Sequence, residues 1–74
     1  MFGLSRSNQN RAQFEALLTP WLDPLYASAL RLTRNERNAE DLVQDTVMRA
    51  WRFFEKFEKG TNFRAWIFKI LTNT

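Results

Sequence analysis

The 74-residue sequence contains no cysteine and no histidine. Their absence excludes disulfide frameworks, Cys/His zinc sites and catalysis by Cys/His or Ser/His/Asp groups. Every apolar run is far shorter than the roughly 20 residues that a bilayer-spanning helix needs. The start, MFGLSRSNQN, also lacks the ordered basic and apolar segments of a secretory signal. We therefore expect a cytoplasmic chain without membrane insertion, metal or cofactor, and we do not expect an enzyme.

Glycine and proline are also scarce, with two of each. No segment alternates apolar and polar residues over a useful strand length, whereas apolar residues recur at intervals of three and four from Arg11 onward. That period is typical of amphipathic helices. A chain this short buries only about 60% of its unfolded surface, which allows one small core. The sequence predicts an all-α fold, a small bundle of three to four helices.

Polar and turn-forming residues divide the helical pattern. Residues 1–10 are polar and have no apolar period, so we expect them to be disordered and the domain to span residues 11–74. Helix starts are then suggested by two residue pairs, Thr19-Pro20 and Asp23-Pro24. One of the two should restart or kink the first helix.

The next boundaries come from capping signals. Asn38, three residues before Asp41, resembles a capping box that opens a helix lasting to about Lys56. After the following turn, the last helix should begin near Thr61 or Asn62.

The helix predicted from Asn38 carries a polar stripe beside an apolar face. The stripe consists of residues spaced by three or four, which share one side of a helix: Asp41, Gln44, Asp45 and Met48. A solvated helix face would explain it. An amide between two carboxylates, next to an adaptable methionine, also suits docking on an arginine-rich helix, with Arg49 at the rim.

Charge is unevenly placed although the net charge is only +3. Residues 38–48 carry three acidic and no basic side chains, whereas residues 49–74 carry six basic and two acidic ones. Such asymmetry suggests one basic and one anionic partner. Complementation of the helix dipole would also account for it.

Aromatic residues crowd the second half of the chain together with basic ones, a composition that suits single-stranded nucleic acid. Most of the large side chains there lie on the predicted buried faces, and we expect five of them in the core: Trp51, Phe54, Phe63, Trp66 and Ile67. Three phenylalanines fall off those faces or in the loop, and we expect them to be exposed: Phe53, Phe57 and Phe68.

The ordered segments AEDLVQDTVMRAW and FRAWIFKILTNT, joined by a loop with phenylalanine and glycine, resemble region 2 of bacterial sigma factors of the extracytoplasmic-function (ECF) group. The similarity covers about Phe14 to Thr74. It implies a helical, non-enzymatic transcription initiation domain that binds RNA polymerase core and promoter DNA.

The resemblance also implies site residues. Those that would grip the clamp helices of the RNA polymerase β′ subunit are Asp41, Gln44, Asp45, Met48 and Arg49. Those that would capture or flank an unstacked base of the non-template strand in the minus-ten element are Phe57, Lys59, Gly60, Thr61, Asn62, Phe68, Lys69, Thr72 and Asn73. Melted DNA would be read as single strand.

Members of this group continue beyond the position of Thr74 with a basic and aromatic segment and carry a second, helix-turn-helix domain. The resemblance therefore predicts a domain truncated at its C-terminal end, without the second promoter-reading domain, whose DNA affinity is weak. One alternative is a helical interaction domain captured by an anti-sigma factor. Another is a duplex-reading helix-turn-helix protein, which the apolar last helix disfavours.

Overall fold

The computed structural model describes the backbone of residues 2–58 and 60–74 and the side chains of residues 9–58 and 60–74. It contains four α-helices: α1, Phe2–Leu18; α2, Leu22–Thr33; α3, Glu36–Phe53; and α4, Phe63–Asn73. Short 3₁₀ turns at Thr19–Trp21 and Phe54–Lys56 follow α1 and α3. No strand occurs in these ranges, and the predicted all-α bundle of three to four helices is confirmed.

Helix α1 begins at Phe2, whereas the apolar pattern that predicted a helix starts at Arg11. Met1 lies outside the described residues. Extending an existing helix adds one hydrogen bond for each residue fixed, so it is far easier than nucleating a new one. Residues 2–10 contain no proline to stop that extension. Weak apolar periodicity is therefore a poor guide to where a helix begins.

The first proline pair breaks the first helix, as one of the two was expected to do. Helix α1 ends at Leu18, and Pro20 lies in the first turn of the 3₁₀ segment, where its missing N–H costs little. Thr19 does not cap a helix. Its Oγ1 instead donates a hydrogen bond to the Glu15 carbonyl oxygen at 2.6 Å.

A two-residue turn joins α2 to α3 and holds Arg34 in the left-handed conformation, with φ 56° and ψ 30°. The Arg34 N–H donates to the Leu30 carbonyl oxygen at 2.7 Å and closes α2. Glycine commonly occupies this position, because a left-handed residue with a side chain costs about 1–2 kcal/mol.

Helix α3 is capped by Asn35, so the prediction that Asn38 is the cap is wrong by three residues. Asn35 is extended, with φ −151° and ψ 124°, and its Oδ1 accepts a hydrogen bond from the Asn38 N–H at 2.9 Å. An N-cap residue needs this non-helical backbone, whereas Asn38 already lies within the first turn. The α-helical part then ends at Phe53, and the 3₁₀ turn carries the chain to Lys56, the predicted end.

Six aromatic rings from three helices, a turn and a loop form one continuous cluster: Phe14, Trp51, Phe54, Phe57, Phe63 and Trp66. Phe54 lies within it, with its ring centroid 5.2 Å from that of Phe14 and 6.0 Å from that of Phe57. Aromatic pairs at such distances contribute about 0.5–1.5 kcal/mol beyond the area they bury. The cluster thereby joins α1, the end of α3 and the start of α4.

Burial agrees with most of the predicted core. The buried members are Phe54, Phe63 and Ile67, and Trp66 is half-buried. Trp51 is 40% exposed, so its assignment to the core is wrong. An indole is large enough that it is rarely buried completely, and this one packs on Phe14 at 5.4 Å while its outer part faces solvent.

Replacing Phe54 by alanine should destabilise the domain by about 3–5 kcal/mol, because the cavity lies among several rings. Circular dichroism during thermal unfolding measures the effect. Phe53→Ala is the matched control, since Phe53 is 46% exposed and should lose less than about 1 kcal/mol. Equal losses for the two variants would contradict the assigned core.

Candidate functional site

The five residues predicted to grip a protein partner lie on the solvent side of α3, and we call them the α3 stripe. All are exposed: Asp41, Gln44, Asp45, Met48 and Arg49. Met48 is 62% exposed, whereas Thr46 and Ala50 on the opposite side are fully buried. Those small buried residues fix the rotation of α3 about its axis, and the stripe therefore points outward as one surface.

The charges of the α3 stripe are unpaired within the described ranges, where the one ion pair joins Arg11 and Glu15 of α1 at 3.0 Å. Asp41 and Asp45 lie one turn apart, a spacing at which like charges slightly destabilise a helix. Burial and local pairing thus give these carboxylates no role in holding the fold. They are available to a partner outside the chain.

The loop after the second 3₁₀ turn corrects one predicted exposure. Phe57 is only 8% exposed, and its ring lies 5.4 Å from Phe63 and 4.9 Å from Trp66. Helical periodicity placed it off the buried faces, but Phe57 is extended at the end of the 3₁₀ turn and joins the aromatic cluster. Its ring supports the loop from inside and is not an open stacking surface.

The rest of the loop is exposed and shaped by its backbone. Gly60 has a φ of +90°, which favours glycine although a Cβ would meet no atom within 4 Å. The Thr61 hydroxyl donates to the Glu58 carbonyl oxygen at 2.5 Å, and the Thr61 N–H donates to the same oxygen at 3.2 Å. Lys59, a predicted DNA contact, lies outside the described residues.

Asn62 caps α4, which begins at Phe63, one residue after the nearer of the two predicted starts, Thr61 and Asn62. Its Oδ1 accepts a hydrogen bond from the Ala65 N–H at 3.1 Å. This bond orients the side chain and occupies its oxygen. The amide NH₂ group of the exposed Asn62 remains available for an external acceptor.

The remaining predicted DNA contacts lie along α4. Phe68 is half-buried, which corrects its predicted full exposure, and Lys69, Thr72 and Asn73 are exposed. Part of the Phe68 ring is covered by Arg64, whose guanidinium carbon lies 5.4 Å from it and 5.7 Å from the Trp21 ring. The spacing of Arg64 and Phe68 by four residues could have indicated their contact. Trp21 comes from a distant part of the chain and left no such signal.

Helices α3 and α4 form a groove that brings the two predicted sites together. Its lining residues are Arg49, Phe53, Trp66, Lys69, Ile70 and Asn73. Arg49 belongs to the α3 stripe, whereas Lys69 and Asn73 are predicted DNA contacts. Phe53 adds the exposed aromatic ring that the sequence predicted, so this groove combines two aromatic side chains with two cations.

A second groove lies between α1 and the loop. It is lined by Gln13, Ala16, Leu17, Phe57, Gly60 and Thr61. The loop residues were predicted as functional, but the α1 residues were not, because no local pattern links α1 to a segment at least 40 positions away.

Two further features bear on the class of site. Among the side chains that the structure describes, no group of three acidic residues is placed to hold a metal ion. None of the described helices has both the length and the apolar character needed to cross a bilayer.

Comparisons with known proteins identify the family to which this chain is similar. The family described as Sigma-70 region 2 matches residues 17–74. The ECF RNA polymerase sigma factor SigG of Mycobacterium tuberculosis is 38% identical over 72 residues, 97% of this chain and 20% of that protein. ECF RNA polymerase sigma factor SigE of Mycolicibacterium smegmatis is 37% identical over 60 residues, 81% of this chain and 23% of that protein. EcfG of Rhodopseudomonas palustris is 45% identical over 49 residues, 66% of this chain and 27% of that protein.

Asn62→Ala should lower the free energy of unfolding by about 0.5–2 kcal/mol, because the first turn of α4 loses its cap. Urea unfolding followed by circular dichroism measures the change. Asn62→Asp keeps a capping oxygen, so its free energy of unfolding should stay close to that of the wild type. Asn73→Ala, at an exposed position, should also leave the free energy of unfolding unchanged. If Asn62→Ala unfolds with the same free energy as the wild type, Asn62 does not stabilise α4 as its cap.

Proposed function

The chain belongs to the sigma-70 region 2 family, with relatives among ECF sigma factors, and we propose that it docks on RNA polymerase and reads the minus-ten promoter element as single strand. The chain spans 20–27% of the length of these three relatives, so the proposal concerns one module of such a factor. The observation that carries it is the α3 stripe, an exposed set of unpaired charges beside an amide and a methionine.

The α3 stripe docks on the clamp helices of the polymerase β′ subunit. Three properties support this assignment: its carboxylates have no partner in the described chain, its side chains lie on one helix face, and Met48 provides adaptable apolar contact. Carboxylates accept strong hydrogen bonds from arginine, and Gln44 between them can both donate and accept. A basic, polar helix surface is the chemistry that this stripe would bind.

Promoter DNA is read by the loop and α4. The exposed Gly60 and Thr61 line the groove beside α1. Asn62, which caps α4, and Lys69 on the same helix are also exposed. The Asn62 amide can donate to the edge of an unstacked base, while Lys69 neutralises a phosphate. Burial of Phe57 argues that its ring holds the loop in shape, so base recognition here relies on hydrogen bonds more than on stacking against that ring.

Asp45→Arg should weaken binding to core RNA polymerase, or to an isolated β′ clamp-helix fragment, by at least about tenfold, equivalent to about 1.4 kcal/mol. Gln44→Ala should weaken it less, because one neutral hydrogen-bonding group is lost. Asp23→Arg, the same charge reversal on α2, is the control and should bind normally. Fluorescence anisotropy of the labelled chain gives the affinities.

Unchanged affinity for both stripe variants would exclude the assigned polymerase face. Loss of binding to an anti-sigma factor, with polymerase binding intact, would instead favour the alternative of a captured interaction domain.

Lys69→Ala should weaken binding of a single-stranded minus-ten oligonucleotide to the polymerase-bound domain and lower the slope of log affinity against log salt by about 0.7, the value for one lost phosphate contact. Arg31→Ala removes a charge from α2 and is the control. Asn62→Asp keeps the α4 cap but places a negative charge at the DNA surface, so it should also weaken binding. Normal DNA binding by both Lys69→Ala and Asn62→Asp would contradict this part of the proposal.

A further inference from the structure

One ridge of α3 carries an ordered pattern of charges that extends beyond the α3 stripe. Its members are spaced by four residues and all are exposed: Arg37, Asp41, Asp45 and Arg49. At a rise of about 1.5 Å per residue, each step is about 6 Å along the axis and the whole ridge is about 18 Å long. The order along the helix is basic, acidic, acidic, basic.

The ridge does not neutralise itself. A spacing of four residues would allow ion pairs between Arg37 and Asp41 and between Asp45 and Arg49. Neither ion pair forms among these described side chains. Within the part of the chain that the structure describes, the one ion pair joins Arg11 and Glu15 of α1. The four charges therefore face outward together.

Arg34, in the turn just before α3, adds an independent observation. It is left-handed, a conformation that glycine adopts without strain, and its exposed side chain has no hydrogen bond or ion pair to any described residue. The bond that closes α2 uses only its backbone N–H, which glycine would supply equally well. No contact within the fold explains an arginine here. A strained backbone that no side-chain contact compensates points to a function for the side chain.

We propose that Arg34 and Arg37 form a basic end of the polymerase-docking surface and contact acidic side chains of the partner protein. This inference rests on the proposed function of the α3 stripe. A partner complementary to the ridge presents acidic, basic, basic and acidic groups in that order, with a further acidic group opposite Arg34.

A protein partner fits this surface better than nucleic acid. Asp41 and Asp45 follow Arg37 directly on the same ridge, and their carboxylates would repel a phosphate backbone passing along it. Leu32, two residues before Arg34 in the last turn of α2, is 60% exposed and offers apolar contact. Such a mixture of apolar and oppositely charged groups matches a protein surface.

The charge order gives the docked complex a defined register. Shifting a complementary helix by one turn would place its acidic groups opposite Asp41 or Asp45, and like-charge contacts of this kind suppress wrong arrangements. The ridge alone reads the same from both ends. Arg34 breaks that symmetry, because it adds positive charge only at the α2 side.

The test is Arg34→Gly in the 74-residue chain, with Arg34→Lys as the matched control. Arg34→Gly should have an equal or higher midpoint of thermal unfolding, because the left-handed turn is relaxed, yet bind core RNA polymerase about 5- to 10-fold more weakly. Arg34→Lys keeps the positive charge but loses the guanidinium fork, so it should bind more tightly than Arg34→Gly and no better than the wild type. Arg37→Ala should weaken binding to a similar extent as Arg34→Gly.

An unchanged or raised unfolding midpoint together with weaker polymerase binding in Arg34→Gly would show a docking role for Arg34 and not a structural one. Wild-type polymerase affinity for Arg34→Gly and Arg37→Ala, with Asp45→Arg still defective, would overturn this inference and leave the stripe assignment intact. Wild-type affinity for Asp45→Arg as well would overturn both. Weakened binding of single-stranded DNA, with polymerase binding unchanged, would show that the arginines serve nucleic acid and would also overturn the inference.

Discussion

The aromatic cluster that contains Phe54 is the constraint on which the rest of this small structure depends. A chain of 74 residues has few large side chains, and six rings are needed to join α1, α3, the loop and α4. Because Phe57 is drawn into that cluster, the loop that follows it is anchored from inside. Function at the loop then falls to Gly60, Thr61 and Asn62, which remain exposed.

Helix α3 separates folding from recognition across its two sides. Its inner side uses small residues, and the hydroxyl of the buried Thr46 donates to the Leu42 carbonyl oxygen at 2.7 Å. Among the side chains that the structure describes, no buried nitrogen or oxygen atom lacks a hydrogen-bond partner. Charges on the outer side contribute little to the fold, so a change there can alter partner binding without unfolding the domain. The groove toward α4 then places Arg49 beside Lys69 and Asn73, which links the proposed polymerase and DNA surfaces.

Sequence reasoning succeeded where a regular helix determines side-chain direction. The period of α3 predicted that the residues of the α3 stripe share one side of the helix. One of two proline pairs was expected to break the first helix, and the start of α4 was predicted within two residues from local capping chemistry. It failed where direction depends on distant packing. Phe57 has no helical period to place it, Trp51 shares a face with core residues but lies at the surface, and the cap of α3 required the backbone angles of Asn35. The strain at Arg34 is equally invisible in the sequence, since it is a property of φ.

We propose that the exposed side of α3 lies against the clamp helices of the polymerase β′ subunit. The most direct measurement replaces Met48, which is 62% exposed in the middle of the stripe, by a photoreactive amino acid and maps the cross-links formed with core RNA polymerase. We expect the cross-linked peptides to come from the β′ clamp helices. Cross-links confined to another surface of the polymerase, or none at all from a chain that binds it, would exclude this docking site.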